Sequence, residues 1–190
     1  MKLHNPTAKI VIPDNTDENS ALSRTTHLSI GAHQDDLEIM AYHGIIECFQ
    51  KKDKHFTGVV VTNGSGSARD DIYKDYTDEE MIIVRREEQI EAAMLGEYSA
   101  LALLDYPSKE VKDGKNDLIV IELSKLIQLT SPDIIYTHNL ADKHDTHIGV
   151  VTKTIKAIRL LEKQYRPNKL YGCEVWRDLD WVVDQEKVIF

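Results

Sequence analysis

Apolar positions along the chain alternate between two periods, one suited to buried strands and one suited to amphipathic helices. Short runs at His27–Ala32 (HLSIGA), Thr57–Thr62 (TGVVVT), Ser99–Tyr106 (SALALLDY), Asp133–His138 (DIIYTH) and Leu170–Val175 have the near-continuous apolar character of strands covered on both faces. A further strand is expected within Val182–Phe190. Between these runs the period lengthens. Leu37–Gln50 predicts a helix closing on a lysine-rich turn, which suits a helix C-terminus. A second helix has clear punctuation, with Thr77 as N-cap, Glu80 as its capping-box partner and Gly96 just past the end. Asn116–Leu129 reads as a third, with Leu118, Ile119, Leu123, Leu126 and Ile127 on one face. From His147 to about Gln164 a fourth is expected, with Ile148, Val151, Ile155 and Ile158 inward and Lys153, Lys156 and Arg159 outward.

Strands alternating with helices of this length argue for βαβ units, an α/β fold in which a mostly parallel, Rossmann-like sheet lies between two helical layers. The expected organisation is a polar arm or edge strand over residues 1–24 and one α/β domain over 25–190, open to further elements beyond it. Sheets of this kind bind ligands outside the carboxyl ends of their strands, near a reversal of strand order.

Composition narrows the partners. With 190 residues and 42% hydrophobic content, one substantial core is expected. A net charge of −9 argues against nucleic acid, which needs a basic stripe; Lys51, Lys52 and Lys54 cluster but are interrupted by Asp53. Cys48 and Cys173 belong to no C-x-x-C pair and read as small buried hydrophobes of a reducing compartment. The apolar run Ile10–Ile12, bounded by Pro13, is too short for a signal peptide, and no stretch approaches a membrane span. A cytoplasmic protein without a membrane partner is expected. The apolar finish Val188-Ile189-Phe190 suggests cover by a partner, such as a homo-oligomer, or by residues beyond it.

Two strand ends carry the chemistry. The first predicted strand runs into Gly31-Ala32-His33-Gln34-Asp35-Asp36-Leu37-Glu38, and the fourth into His138 through His147. His33 and Asp36 are three apart, as are His144 and His147, a spacing that puts side chains on one side of a helix start. Imidazole plus carboxylate suits a borderline-soft divalent metal, and a catalytic zinc keeps three protein ligands and one open position. Three of these residues close such a site and leave Asp35 and His144 beside it as acid–base groups. Asp35, Asp36 and Glu38 crowd carboxylates beside an apolar strand, which favours a cation there. The bland alternative is that acidic residues in a first helical turn merely complement the helix dipole.

The stretch from Gly31 to Glu38 resembles the A-H-P-D-D-x-E signature of the PIG-L/LmbE-like family of N-acetylglucosamine deacetylases, and His144-x-x-His147 resembles that family's H-P-D-H motif. Val60-Val61-Thr62-Asn63-Gly64 and Arg85-Arg86-Glu87-Glu88 sit where similar family segments fall, so the likeness spans roughly residues 25 to 160. It implies zinc on His33, Asp36 and His147; as a rival reading, two His and one carboxylate also suit Fe²⁺, as in non-haem oxygenases, or another divalent metal. It also implies Asp35 as general base, His144 donating to the oxyanion or leaving amine, and Glu38 in a supporting structural role. The implied substrate is a small molecule carrying an acetamido sugar. Two positions depart from the family pattern: Gln34 stands for its Pro, and Asp145-Thr146 for its Pro-Asp, leaving Asp142 or Asp145 to support the metal-binding histidine.

Gly64-Ser65-Gly66-Ser67 lacks the spacing of a phosphate cradle and reads as a loop near the site, from which Arg69 is a candidate substrate contact. His43 reads as a satisfied core residue, Arg85 and Glu88 as an ion pair, and Trp176 and Trp181 as candidates for the pocket rim. Competing functions are an inactive metal- or ligand-binding module and a hydrolase of another amide.

Overall fold

The computed structural model describes residues 1–190. In chain order the elements are β1 (Lys9–Val11), α1 (Glu18–Ser23), β2 (His27–Gly31), α2 (Asp36–Met40), α3 (Tyr42–Cys48), β3 (Phe56–Thr62), α4 (Asp78–Leu95), β4 (Ala100–Tyr106), α5 (Ser108–Lys112), α6 (Asp117–Thr130), β5 (Ile134–His138), α7 (Asp145–Leu160) and β6 (Lys169–Cys173). The strands form one sheet in the order β1-β4-β3-β2-β5-β6. Only the β1–β4 pairing is antiparallel. From β2 the chain builds outward to β3 and β4, then returns to add β5 and β6 on the other side. The reversal of strand order therefore falls between β2 and β5.

Period-2 alternation sorts the strand residues between two cores. Leu28, Ile30, Val59, Val61, Ala102 and Leu104 face α5, α6 and α7. Val60, Leu101 and Leu103 face α2, α3 and α4. This is the expected α/β/α sandwich, and no helix is long and apolar enough to cross a membrane.

The punctuation of α4 is as the sequence predicts: Thr77 and Glu80 form a reciprocal capping box, and Gly96 ends the helix. Other expectations are corrected. The helix expected over Leu37–Gln50 is broken at Ala41 into α2 and α3. Beyond the break Gly44 lies against Tyr136, where a Cβ would meet the ring at 2.6 Å. Helix α7 begins at Asp145, two residues before the expected start, with His144 as its N-cap. Its buried face is also turned: Val150, Val151, Thr154 and Ala157 are inside, together with Lys153. That ammonium is tolerated because Nζ donates to the carbonyls of Asp113 (2.6 Å) and Asn116 (3.1 Å). Leu118, expected in the core, is exposed at the start of α6. No strand forms in Val182–Phe190; that segment holds a 3₁₀ turn at Asp184–Glu186, and Phe190 stacks on His43 at 3.8 Å. The sixth strand is β1, from the N-terminal arm. Helices α1 and α5 had no clear periodic signal because each spans a turn or two.

Candidate metal centre

The end of β2 folds back sharply. A Cβ on Gly31 would meet Leu37 at 3.0 Å and Asp36 at 3.1 Å, so glycine there permits the return. Asp36 opens α2 and points backward, accepting the N–H groups of Ala32 (3.1 Å) and His33 (2.6 Å) on Oδ2. Burial pushes its carboxyl up, but hydrogen bonds with His138 and His33 outweigh that and hold it far below the usual carboxylate range. Gln34, where the resembled motif has Pro, is buried and donates from Nε2 to Thr62 O at 3.1 Å, tying the loop to β3.

The end of β5 is organised locally. Asp142 Oδ1 accepts the His144 N–H (2.8 Å), and Asp142 Oδ2 lies 2.7 Å from His147 Nδ1. A carboxylate at Nδ1 fixes the proton there and leaves Nε2 a bare lone pair, the arrangement that supports a metal-binding histidine. Burial, reinforced by the neighbouring His138, pushes the His147 imidazole down to about 4, so it is neutral near pH 7. Asp142, not Asp145, is thus the carboxylate that meets His147 Nδ1. His144 caps α7 by accepting the Thr146 N–H on Nδ1 (3.3 Å), which leaves its Nε2 to carry the proton.

The two strand ends converge at the reversal of strand order. His33 Nδ1 is 3.1 Å from His147 Nε2 and 3.4 Å from Asp36 Oδ2, and His147 Nε2 is 3.6 Å from Asp36 Oδ2. Ligands about 2.0–2.2 Å from a tetrahedral zinc stand roughly 3.3–3.6 Å apart; both separations from Asp36 Oδ2 fall in that range, and the two histidine nitrogens are slightly closer together. Two other sets also come within 4.8 Å: His33, His144 and His147 toward the mouth, and Asp36, His138 and His147 inside. In the inner set His138 Nε2 lies 3.3 Å from Asp36 Oδ2 and 2.9 Å from the Ala32 nitrogen, and the ring is fully buried. In the outer set His144 is held by its capping bond. His33 Nδ1, Asp36 Oδ2 and His147 Nε2 thus lie close enough together to share one divalent ion, and His147 is common to all three sets.

These groups open into a cleft of ≈ 670 Å³ that also presents Asp35, Arg85, Lys112, Ser108, Tyr73 and Trp176. The Asp35 side chain is 60% exposed and paired with Arg85 Nη2 at 2.8 Å. Its carboxyl is raised by partial burial against the opposing pull of Arg85. His144 is lowered, by burial first and His33 second. Glu38 accepts from Gln89 Nε2 (2.8 Å) and Tyr98 OH (2.6 Å), and it does not line the cleft. Arg85 pairs with Glu88 as expected. Of the two tryptophans only Trp176 reaches the cleft; Trp181 lies under Lys143 Nζ at 4.8 Å. Arg69, the expected substrate contact, lies outside the cleft lining. Its guanidinium is held by Asp78 at the start of α4 and by the carbonyls of Tyr76 and Ser67. The spacing of the motifs assigns no role to His138 or Gln89. His138 had one available signal, its position at a strand end four residues before Asp142; Gln89 had none.

A sequence model of the PIG-L family, described as GlcNAc-PI de-N-acetylase, matches residues 28–158. No curated protein matches the sequence. Among solved structures, the conserved protein TT1542 from Thermus thermophilus aligns over 78% of this chain and 66% of its own, with TM-score 0.62 and 15% identity. N,N'-diacetylchitobiose deacetylase from Pyrococcus horikoshii aligns over 88% and 59%, with TM-score 0.61 and 19% identity. The 4-carboxy-2-hydroxymuconate hydratase GalB from Pseudomonas putida aligns over 78% and 62%, with TM-score 0.59 and 18% identity. The chain thus spans under two thirds of the length of each, and the likeness establishes a shared fold that carries more than one chemistry.

Proposed function

The chain belongs to the PIG-L family, and from that premise we propose that it is a zinc-dependent N-deacetylase, hydrolysing the acetamide of an N-acetylglucosamine-type small molecule to acetate and a free amine. The observation that carries this reading is the convergence of His33 Nδ1, Asp36 Oδ2 and His147 Nε2 within 3.1–3.6 Å of one another, in the cleft that holds Asp35 and His144. His33, Asp36 and His147 would hold the ion, which when bound supplies Lewis acidity toward the amide and lowers the pKa of a water to about 7.

The protein's own groups do the rest. Asp35, open to the cleft, takes the proton from the attacking water and later delivers one to the departing nitrogen. Arg85 beside it favours the anionic form needed for the first transfer. His144, with Nδ1 occupied by its cap, donates from Nε2 to the carbonyl oxygen as that oxygen gains charge. Asp142 keeps His147 in the tautomer that presents Nε2. The cleft volume suits a sugar with part of its aglycone, and Trp176 offers an apolar face to a ring.

The test is acetate release from a series of acetamido sugars with zinc supplied. The reading predicts equimolar acetate and amine, abolished by chelation and restored by zinc. Zinc-loaded protein that releases no acetate from any acetamido sugar would contradict it and favour a binding module.

A further inference from the structure

Asp35 has backbone φ 90° and ψ −26°, a left-handed conformation that a residue with a Cβ adopts at a cost. Such a residue persists when its surroundings over-determine it, and here they come from α4. Arg85 and Gln89 are one turn apart and so share a face of that helix. Arg85 Nη2 donates to the carbonyl oxygen of Gln34, and Gln89 Oε1 accepts the N–H of Asp35 at 3.1 Å. These two atoms belong to one peptide group, which α4 therefore grips at both ends. The plane of that peptide sets φ of Asp35, and hence the direction in which its side chain leaves the backbone. Arg85 Nη2 also holds the carboxylate itself at 2.8 Å.

Gln89 can face Asp35 only one way round. Its Nε2 donates to Glu38 Oε1 at 2.8 Å, and Glu38 is fixed in turn by Tyr98 OH at 2.6 Å. The carboxylate of Glu38 thereby turns the amide oxygen, not its nitrogen, toward the Asp35 N–H. Gln89 is 1% exposed and absent from the cleft lining, so it cannot touch a substrate.

We propose that Arg85 and Gln89 are positioning residues for Asp35, clamping the Gln34–Asp35 peptide so that the carboxylate stands over the cleft. Asp36 Oδ2 is held apart from this clamp, by the N–H groups of Ala32 and His33. The inference rests on the reading of Asp35 as the base.

Gln89 gives the cleaner test because it is remote from substrate. Gln89→Met removes both hydrogen bonds. Gln89→Glu keeps an acceptor toward Asp35 but sets a second carboxylate against Glu38. Combining Gln89→Glu with Glu38→Gln exchanges acid and amide and rebuilds the chain of bonds from Tyr98 to Asp35. The readouts are kcat and KM for acetate release, bound zinc and melting temperature. Gln89→Met and Gln89→Glu are expected to lower kcat about 10-fold or more while KM stays within about two-fold and zinc is retained, as for a displaced catalytic group. The exchanged pair is expected to recover kcat to within about three-fold of the parent, because the Asp35 N–H keeps its acceptor and the bond between positions 38 and 89 is remade with the donor on 38. Parental kcat in folded Gln89→Met overturns the clamp, as does a folded, zinc-loaded exchanged pair as slow as Gln89→Glu. If Gln89→Met does not fold, the exchanged pair decides by the same criterion. Asp35→Ala assayed alongside separates the two claims: activity in that variant removes the base assignment itself, whereas an inactive Asp35→Ala with a fully active Gln89→Met removes only the clamp.

Discussion

The ends of β2 and β5 lie side by side and furnish two halves of one centre, yet they are built in opposite ways. The loop after β5 organises itself. Asn139 Oδ1 accepts the Ala141 N–H (2.8 Å), Asp142 Oδ1 accepts the His144 N–H (2.8 Å), His144 Nδ1 accepts the Thr146 N–H (3.3 Å), and Asp142 Oδ2 completes the set at His147 Nδ1. The turn after β2 is held mostly from outside, by Thr62 of β3 and by Arg85 and Gln89 of α4. A histidine oriented by its own loop tolerates change elsewhere in the molecule. A carboxylate oriented by a distant helix does not.

Substitutions can challenge this contrast on either side. The largest effect is expected from Asp36→Ala, which removes a proposed ligand atom and the acceptor of two backbone N–H groups. Zinc should be lost altogether, with turnover falling to background, as read by metal analysis and acetate release. Asp35→Ala should keep the metal and lose about 10²–10⁴ in kcat, the usual worth of a positioned base. Zinc-free protein from that variant would mean Asp35 is a ligand. Asp142→Ala attacks the self-organised half. Without its carboxylate at Nδ1, His147 should bind zinc about 10–100-fold more weakly, measured by competition with a chelator of known affinity. Unchanged affinity would show that the local loop does not orient the ligand. The smallest effect is expected from Thr77→Ala, which removes the capping box of α4 at a cost of about 1 kcal/mol in chemical denaturation. Bound zinc should not change, since α4 reaches Asp35 but none of the three ligand atoms.

The same contrast explains what the sequence made legible. The parallel strands were readable because burial on both faces leaves apolar runs such as Thr57–Thr62, and α4 was readable because its caps are encoded within three residues at each end. The meeting of His33, Asp36 and His147 was readable because both motifs sit at strand ends and repeat one spacing. What depended on tertiary contacts was not. Lys153 reads as a surface residue until the carbonyls of Asp113 and Asn116 are brought to it by α5 and α6. Val188–Phe190 reads as a strand, but its terminal ring finds His43 and Tyr171 and needs no ladder. Arg69 reads as a substrate contact until Asp78, at the start of α4, pairs with it. Gln89 carries no local signal, because its meaning lies in a peptide group more than fifty residues away in the chain.

Everything turns on one ion shared by the two strand ends. Crystals of the zinc-loaded protein, with anomalous diffraction recorded on either side of the zinc edge, locate it directly. The predicted result is one site bounded by His33 Nδ1, Asp36 Oδ2 and His147 Nε2 at about 2.0–2.2 Å, with Asp35 outside the coordination sphere. A site built on His138 or His144 in place of one of these three, or no zinc between the strand ends, would contradict it.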